Sequence, residues 1–265
     1  VTEEAKSVPD NAHDLVRLEQ RDGVAVVTLN DPARRNIFSG PLVRALGEAM
    51  DRAEGHEATR CVVVTGAGRA FCAGAELATL RGAADGAFDD VDTVYQGFLR
   101  VRDCPLPTIA AVNGPAVGAG FNLALACDVR MVGPDALFDA RFTALRLHPG
   151  GGHAWMLARA VGLQQAMLAC LFGEVWDARA AVATGLAAAL AEEDLIDDAV
   201  ALGQRLAKQE KAYVQRLTAT LRGALSTLEH ADALAEETAA QRWSAGRPAF
   251  REGVQAIEDR IARRS

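Results

Sequence analysis

Apolar residues recur along this chain with two different periods. Val24–Leu29 (VAVVTL), Cys61–Thr65 (CVVVT) and Thr108–Val112 (TIAAV) are short, nearly continuous apolar runs bounded by turn residues, and they predict strands. CVVVT has no polar face before its final Thr, so the strand is expected to be covered on both sides. Asp128–Val132, Ala136–Phe138 and Leu186–Leu190 predict further strands. Pro41–Glu54 changes period: Leu42, Leu46 and Met50 share one helical face, and Ser39 is placed as the N-cap. Helices are also expected from near Ala75, over Val94–Val101 and over Gly118–Cys127, while residues 82–90 (GAADGAFDD) read as a mobile loop.

After the PGGG run at 149–152 the pattern becomes almost entirely helical. Ala154–Val161, Gln164–Phe172, Asp177–Thr184 (capped by Asp177, stopped by Gly185), Asp194–Leu206, Tyr213–Leu228, Ala231–Gln241 and Pro248–Ala262 are the expected segments. Strands alternating with helices before residue 130, then helices, predict an α/β architecture with a helical C-terminal portion. The expected divisions are a polar arm over 1–14, a core over 15–200 and a helical region over 201–265.

Composition narrows the function. The chain has 265 residues, 50% hydrophobic and 24% charged, enough for a sizeable core. Aromatic residues are only 5%, so the core is built mainly from Ala, Val and Leu. Net charge is −7 with dispersed Lys and Arg, which argues against nucleic acid as a partner. The five cysteines form no CxxC pair and have no histidine at zinc-ligand spacing; they read as small buried hydrophobes in a reducing compartment. VTEEAKSVPDNAHD lacks the basic start and apolar stretch of a signal peptide, and no apolar run suggests a membrane span. The expectation is a cytoplasmic protein.

Two stretches share a chemical logic. RAFCAGAEL (69–77) follows the strand at 61–65, and NGPAVGAGFNL (113–123) follows the strand at 108–112. In both, a buried strand runs through Gly and Ala into a helix. The first N–H groups of a helix are unpaired and carry the positive end of its dipole. Small side chains leave such groups open to a ligand oxygen, and two of them aimed at one point would stabilise negative charge on a carbonyl. The same small residues also permit close helix packing, so the pattern alone leaves both readings open. Neither stretch is a phosphate loop: 66–74 lacks the Lys-Ser/Thr ending, and 118–123 does not match GxGxxG.

CVVVTGAGRAFCAGAEL, then PTIAAVNGPAVGAGFNLALACDVRMVG, PGGG, RAVG, TGL and REGVQA, resemble in order the enoyl-CoA hydratase/isomerase (crotonase) superfamily. The resemblance runs from about residue 15 to the end. It implies a crotonase-like spiral of ββα turns with a C-terminal helical trimerisation region, and a homotrimer or dimer of trimers. It implies an acyl-CoA ligand, CoA being part of the substrate, with no separate cofactor and no metal. The thioester oxygen would sit between the backbone N–H groups of Ala75 and Ala119. CoA contacts would fall on Arg34, Arg35, Ile37, Ala73, Gly74, Ala75, Glu76 and Leu77, with Gly118 and Ala119 beside the thioester.

The chain departs from the pattern where hydratases of this family carry two glutamates. Asn122 and Phe142 stand at those positions. An amide does not titrate usefully and a phenyl ring has no lone pair, so neither is a general base. Asn122 reads either as a group orienting a ligand or water, or as a buried amide bonded to backbone. His148 and His153 flank PGGG and are alternative bases. Asp139 is expected to share a strand face with Arg141 in a solvent-side ion pair, Glu76 to be structural, and Trp155 to shape the acyl pocket. The C-terminal AIEDRIARRS lacks the Phe, Lys and second Phe with which family members often reach the adenine. Three readings follow: an enzyme acting on acyl-CoA through an enolate, a catalytically silent acyl-CoA-binding or regulatory protein, or an ordinary enoyl-CoA hydratase, whose activity is expected to be far below that of a two-glutamate enzyme.

Overall fold

The computed structural model describes residues 15–84, 89–191 and 193–224, together with Trp243 and Pro248. The expected helices at 231–241 and 248–262, the arm at 1–14 and the C-terminal AIEDRIARRS lie outside the described residues or nearly so. The chain divides into one compact unit ending at Ala207 and a second beginning at Lys208.

The first unit contains strands β1 (Val16–Arg21), β2 (Val24–Leu29), β3 (Cys61–Gly66), β4 (Thr108–Val112), β5 (Pro115–Val117), β6 (Val129–Val132), β7 (Leu137–Asp139), β8 (Trp176–Asp177) and β9 (Ala189–Leu190). Its helices are α1 (Gly40–Gly55), α2 (Leu77–Ala84), α3 (Asp89–Arg102), α4 (Ala119–Ala126), α5 (His153–Leu171), α6 (Ala178–Ala183) and α7 (Leu195–Gln204). The larger sheet has the order β1-β2-β3-β4-β6-β9, parallel throughout except for β1. A smaller sheet has the order β5-β7-β8.

Single-residue bridges show how these sheets make a spiral. Phe38, just before α1, pairs with Ala75, and Cys72, just before α2, pairs with Ala116 of β5. Ala116 in turn pairs with Phe138 of β7. Each turn therefore gives a strand to the large sheet, a short extended segment beside the next turn, and then a helix. Rows of parallel pairs stack these turns, and consecutive helix starts end up side by side.

Burial follows from strand alternation. Ala25, Val27, Leu29, Val62, Val64, Ala110 and Val112 face the main core with Leu42, Leu46 and Met50 of α1. Val24, Val26, Cys61, Val63, Ile109 and Ala111 face the other way, against Ala199 and Val200 of α7. Every residue of β3 is buried, as its unbroken apolar run requires. The Ser39 side chain accepts from Leu42 N–H and caps α1, and Asp177 caps α6 through Ala180 N–H.

Several expectations are corrected. β1 was not expected, although Val16 and Leu18 alternate with polar neighbours. It pairs antiparallel with β2 across Asp22-Gly23, both at positive φ, the hairpin signal that dipeptide carries. Residues 82–84 and 89–90, expected in a loop, are helical. Ala154–Val161 and Gln164–Phe172 join into α5, with non-helical backbone at Gly162 where a break was expected. α5 is the described helix long and apolar enough to match a membrane span, and that kink divides it. Of Leu186–Leu190, only Ala189–Leu190 is strand. In the second unit, Lys211–Ala224 forms α8, the described part of the helix expected over 213–228.

Candidate active site

The two Gly/Ala turns lie beside each other. Cys72 N–H donates to Pro115 O at 3.2 Å, and Val117 N–H donates to Cys72 O at 3.0 Å. A methyl added to Gly74 would lie 2.6 Å from Val117 O and 3.6 Å from Ala119 N. The backbone of the first turn thus runs against the N-terminus of α4. Gly74 has φ 96° and Gly118 φ 53°, conformations that side chains rarely tolerate. In each turn such a glycine immediately precedes the donor residue, Ala75 or Ala119.

Neighbouring amides are occupied. Phe38 N–H donates to Gly74 O, Ala73 N–H to Arg35 O, Gly118 N–H to Asp139 O, and Asn122 N–H to Gly118 O. The Ala75 and Ala119 N–H groups donate to no described residue. Both alanines are half-buried, so two backbone donors are left for an external acceptor.

Behind α4 lies a polar pair inside an apolar shell. Asn122 is buried, and its Nδ2 donates to Gly150 O at 3.1 Å. Its Oδ1 is 2.5 Å from His153 Nδ1. Sequence left Asn122 as either a ligand-orienting group or an amide bonded to backbone; it bonds backbone on one side and an imidazole on the other. Gly151 must lack a side chain here, since a methyl would sit 3.0 Å from Tyr95 Cδ1 and 3.2 Å from Asn122 Nδ2. The PGGG run is therefore seated closely on α3 and α4.

His153 is fully buried. Its ring packs edge-on against Phe121, centroids 5.1 Å apart, and against Phe142 at 4.9 Å. Burial pulls its pKa from the ordinary 6.5 down to about 4. The Nε2 atom has no hydrogen-bond partner among the described residues. Phe142 is half-buried rather than sealed in the core, at the start of the short 3-10 turn Thr143–Leu145. His148 is exposed, and its Nδ1–H donates locally to Pro149 O at 2.8 Å. The two histidines flanking PGGG are therefore in opposite environments.

The depressed pKa has a consequence for stability. Below 6.5 the unfolded chain takes up a proton at this histidine and the folded protein does not, down to about 4. The contribution to stability is complete above 6.5 and is lost as pH falls toward 4, by about 3 kcal/mol across the window. Chemical unfolding at pH 7, 5.5 and 4.5 is expected to show this slope in the wild type, with a reduced slope in His153→Leu.

The residues expected to meet CoA phosphates are differently engaged. Arg34 is ion-paired with buried Asp31 at 2.7 Å and with Glu76 at 2.9 Å. It is held by two carboxylates of the protein, which offset the positive charge it would offer to a CoA ligand. The pairing supports the structural reading of Glu76. Arg35 is exposed, and Ile37 and Ala73 are half-buried nearby in the chain. Leu77 opens α2.

Asn36, not singled out in the sequence, holds this loop in place. It is fully buried at positive φ, accepts from Asp31 N–H at 2.8 Å, and donates to Ala70 O at 2.8 Å and Ala67 O at 3.0 Å. Asparagine's tolerance of left-handed backbone was the available signal. Asp139 and Arg141 do form an ion pair, but Asp139 is buried and Arg141 has left the strand at φ 59°. The pair is thus made by a backbone reversal, not by alternation along a strand facing solvent. Trp155, expected to shape the acyl pocket, is 42% exposed, with the Arg159 guanidinium 3.8 Å from its ring centroid. Among the described residues no group of three or more His, Cys, Asp or Glu could hold a metal ion.

Comparison with known proteins agrees with this architecture. Residues 19–263 match the family model for enoyl-CoA hydratase/isomerase. A probable enoyl-CoA hydratase, EchA14, of Mycobacterium tuberculosis is 47% identical over 94% of this chain and 99% of its own. The 1,2-epoxyphenylacetyl-CoA isomerase of Escherichia coli is 34% identical over 92% of this chain and 94% of its own. Among solved structures, an enoyl-CoA hydratase from Bacillus anthracis superposes with a TM-score of 0.87 at 26% identity, covering 93% of this chain and 96% of that one. A structure from Streptomyces coelicolor titled as a putative enoyl-CoA hydratase gives 0.84 at 31% identity, covering 98% and 96%. The chain belongs to the enoyl-CoA hydratase/isomerase family and has the crotonase fold.

Proposed function

We propose that the protein binds acyl-CoA thioesters and stabilises a thioester enolate between the N–H groups of Ala75 and Ala119. The observation that carries this is a pair of amides without a partner among the described residues, each following a positive-φ glycine, on turns held together by the Cys72–Ala116 bridge. Charge moves onto the thioester oxygen as an enolate forms, so donors already in place favour the transition state over the ground state. CoA is part of the substrate and no other cofactor is invoked. Arg35 is the exposed cation of its loop for the CoA phosphates, alongside the backbone at 73–77.

The reaction is of lyase or isomerase type. Ordinary hydration is expected to be weak, because the chain has Asn122 and Phe142 where two glutamates would place and deprotonate water. Loss of crotonyl-CoA absorbance is the direct assay; a rate typical of a two-glutamate enzyme would overturn the assignment of these positions. Asn122→Glu with Phe142→Glu is expected to raise hydration by about tenfold or more, a fraction of what general acid–base catalysis usually supplies. Buried carboxylates also lower stability, so the informative protein is a double variant that remains soluble and binds acyl-CoA. If it shows no gain, the missing carboxylates do not explain the low rate.

A second reading is supported by the Asn122 cluster: the amide is already bonded to the protein through both its nitrogen and its oxygen, and Phe142 packs on His153. On this reading the protein is a silent acyl-CoA binder or regulatory subunit. Incubation with a broad acyl-CoA panel, read by mass spectrometry, separates the two: turnover of any member supports the enzyme, while binding without turnover supports the binder. The proposed setting is the cytoplasm, without nucleic acid or membrane as partner. The proposed assembly is a homotrimer or dimer of trimers, for which the exposed Leu163, Met167, Leu171 and Phe172 offer apolar surface in addition to the C-terminal region.

A further inference from the structure

The hydrogen bonds around Asn122 settle a proton position. Gly150 O can only accept, so the group facing it at 3.1 Å is the Asn122 amide nitrogen. The Asn122 oxygen therefore faces His153, and the ring nitrogen 2.5 Å away, Nδ1, carries the proton. A neutral ring with its proton on Nδ1 has a bare lone pair on Nε2. That atom is buried and has no partner among the described residues. A buried acceptor left without a donor is unfavourable, so its retention here points to a donor that arrives with a ligand.

Its place in the fold says which part of the ligand. The ring touches both Asn122 and Phe142, the positions where family members carry their glutamates, and α4, which bears Asn122, begins at the Ala119 amide. Two aromatic rings, Phe121 and Phe142, also pack edge-on against the imidazole. An imidazolium would be poorly solvated there, so accepting a hydrogen bond suits this ring better than removing a proton. Phe142, half-buried at the start of an exposed turn, packs against this ring and is the neighbour with room to move.

We infer that His153 is a specificity-determining residue, whose Nε2 accepts a hydrogen bond from a hydroxyl on the acyl chain of a CoA thioester, with Asn122 as the positioning residue that fixes the ring. This rests on the acyl-CoA reading above. Calorimetry compares butyryl-CoA with 2-, 3- and 4-hydroxybutyryl-CoA. At least one hydroxylated ligand is expected to bind the wild type about tenfold more tightly than butyryl-CoA. His153→Gln can return an amide oxygen to the Nε2 position and is expected to keep much of that ratio. His153→Asn can keep the bond to Asn122 but leaves nothing at Nε2, and is expected to bring the ratio close to one. A purely structural histidine predicts that the ratio is the same in all three proteins.

Nitrogen NMR on the wild type gives a test independent of variant folding. His153 should show a bare Nε2 in the free protein, and a hydrogen-bonded shift with the preferred hydroxyacyl-CoA but not with butyryl-CoA. A protonated Nε2, or butyryl-CoA binding as well as all three hydroxylated ligands, overturns the inference and leaves the acyl-CoA reading standing. Failure of every acyl-CoA to bind overturns both.

Discussion

Ala119→Pro is expected to lower the rate at which the protein exchanges the α-protons of an acyl-CoA with deuterated water by about 10²–10³-fold, the usual effect of removing one oxyanion donor. Proline deletes the N–H and nothing else that the helix uses. Ala119 is the first residue of α4, where the amide has no intrahelical acceptor and where proline is well accommodated. The preceding Gly118, at φ 53° and ψ −113°, is outside the right-handed helical region that a following proline disfavours. Thermal unfolding should therefore move little while exchange collapses. Exchange unchanged in a folded Ala119→Pro protein would remove Ala119 from the site, and absence of exchange in the wild type would favour the silent binder.

Arg130→Met is expected to destabilise the fold by about 3 kcal/mol or more. The guanidinium donates to Leu186 O at 2.6 Å, Cys127 O at 2.7 Å and Ala124 O at 3.3 Å. It thereby closes the C-terminal end of α4, where carbonyls have no helical partner, and ties it to the segment entering β9. Burial lowers its pKa, while Cys127 and Asp128 act the other way, and an arginine keeps its charge throughout the ordinary range. Methionine fills similar volume but leaves those carbonyls without donors. Urea unfolding should show a lower midpoint with an unchanged slope. Lysine at this position should recover only part of the loss, because one ammonium cannot match a planar fork of donors. A midpoint unchanged in Arg130→Met would show that water replaces the guanidinium at no cost.

The elements with strong local patterns were legible in the sequence. β3 and β4 have no polar face and lie between two layers; α1 carries its cap and its stripe together. The smaller sheet was not legible, since β5, β7 and β8 are two or three residues long and the remaining contributions are single residues, Phe38 and Cys72. Such segments are too short to show a period. The two glycine–alanine turns were recognisable as a pair, but their adjacency depends on a bridge between residues 72 and 116. The Asn122–His153 bond depends likewise on a loop returning after 31 residues. Asn36 and the reversal at Arg141 were missed because left-handed backbone at a residue other than glycine has only a weak local signature.

The amides at 75 and 119 belong to the main chain, so no codon specifies them. Almost any substitution at either alanine keeps the N–H, and the backbone in front of each is set by a neighbouring glycine at positive φ, Gly74 or Gly118. On the proposed reading, a change at half-buried Phe142 would alter the chemistry without touching either amide, whereas Asn122 is tied to Gly150 and His153 and is less free to vary. Descendants of one ancestor would then diverge in chemistry while retaining a common cradle, and a list of substitutions would record the divergence but be blind to the cradle.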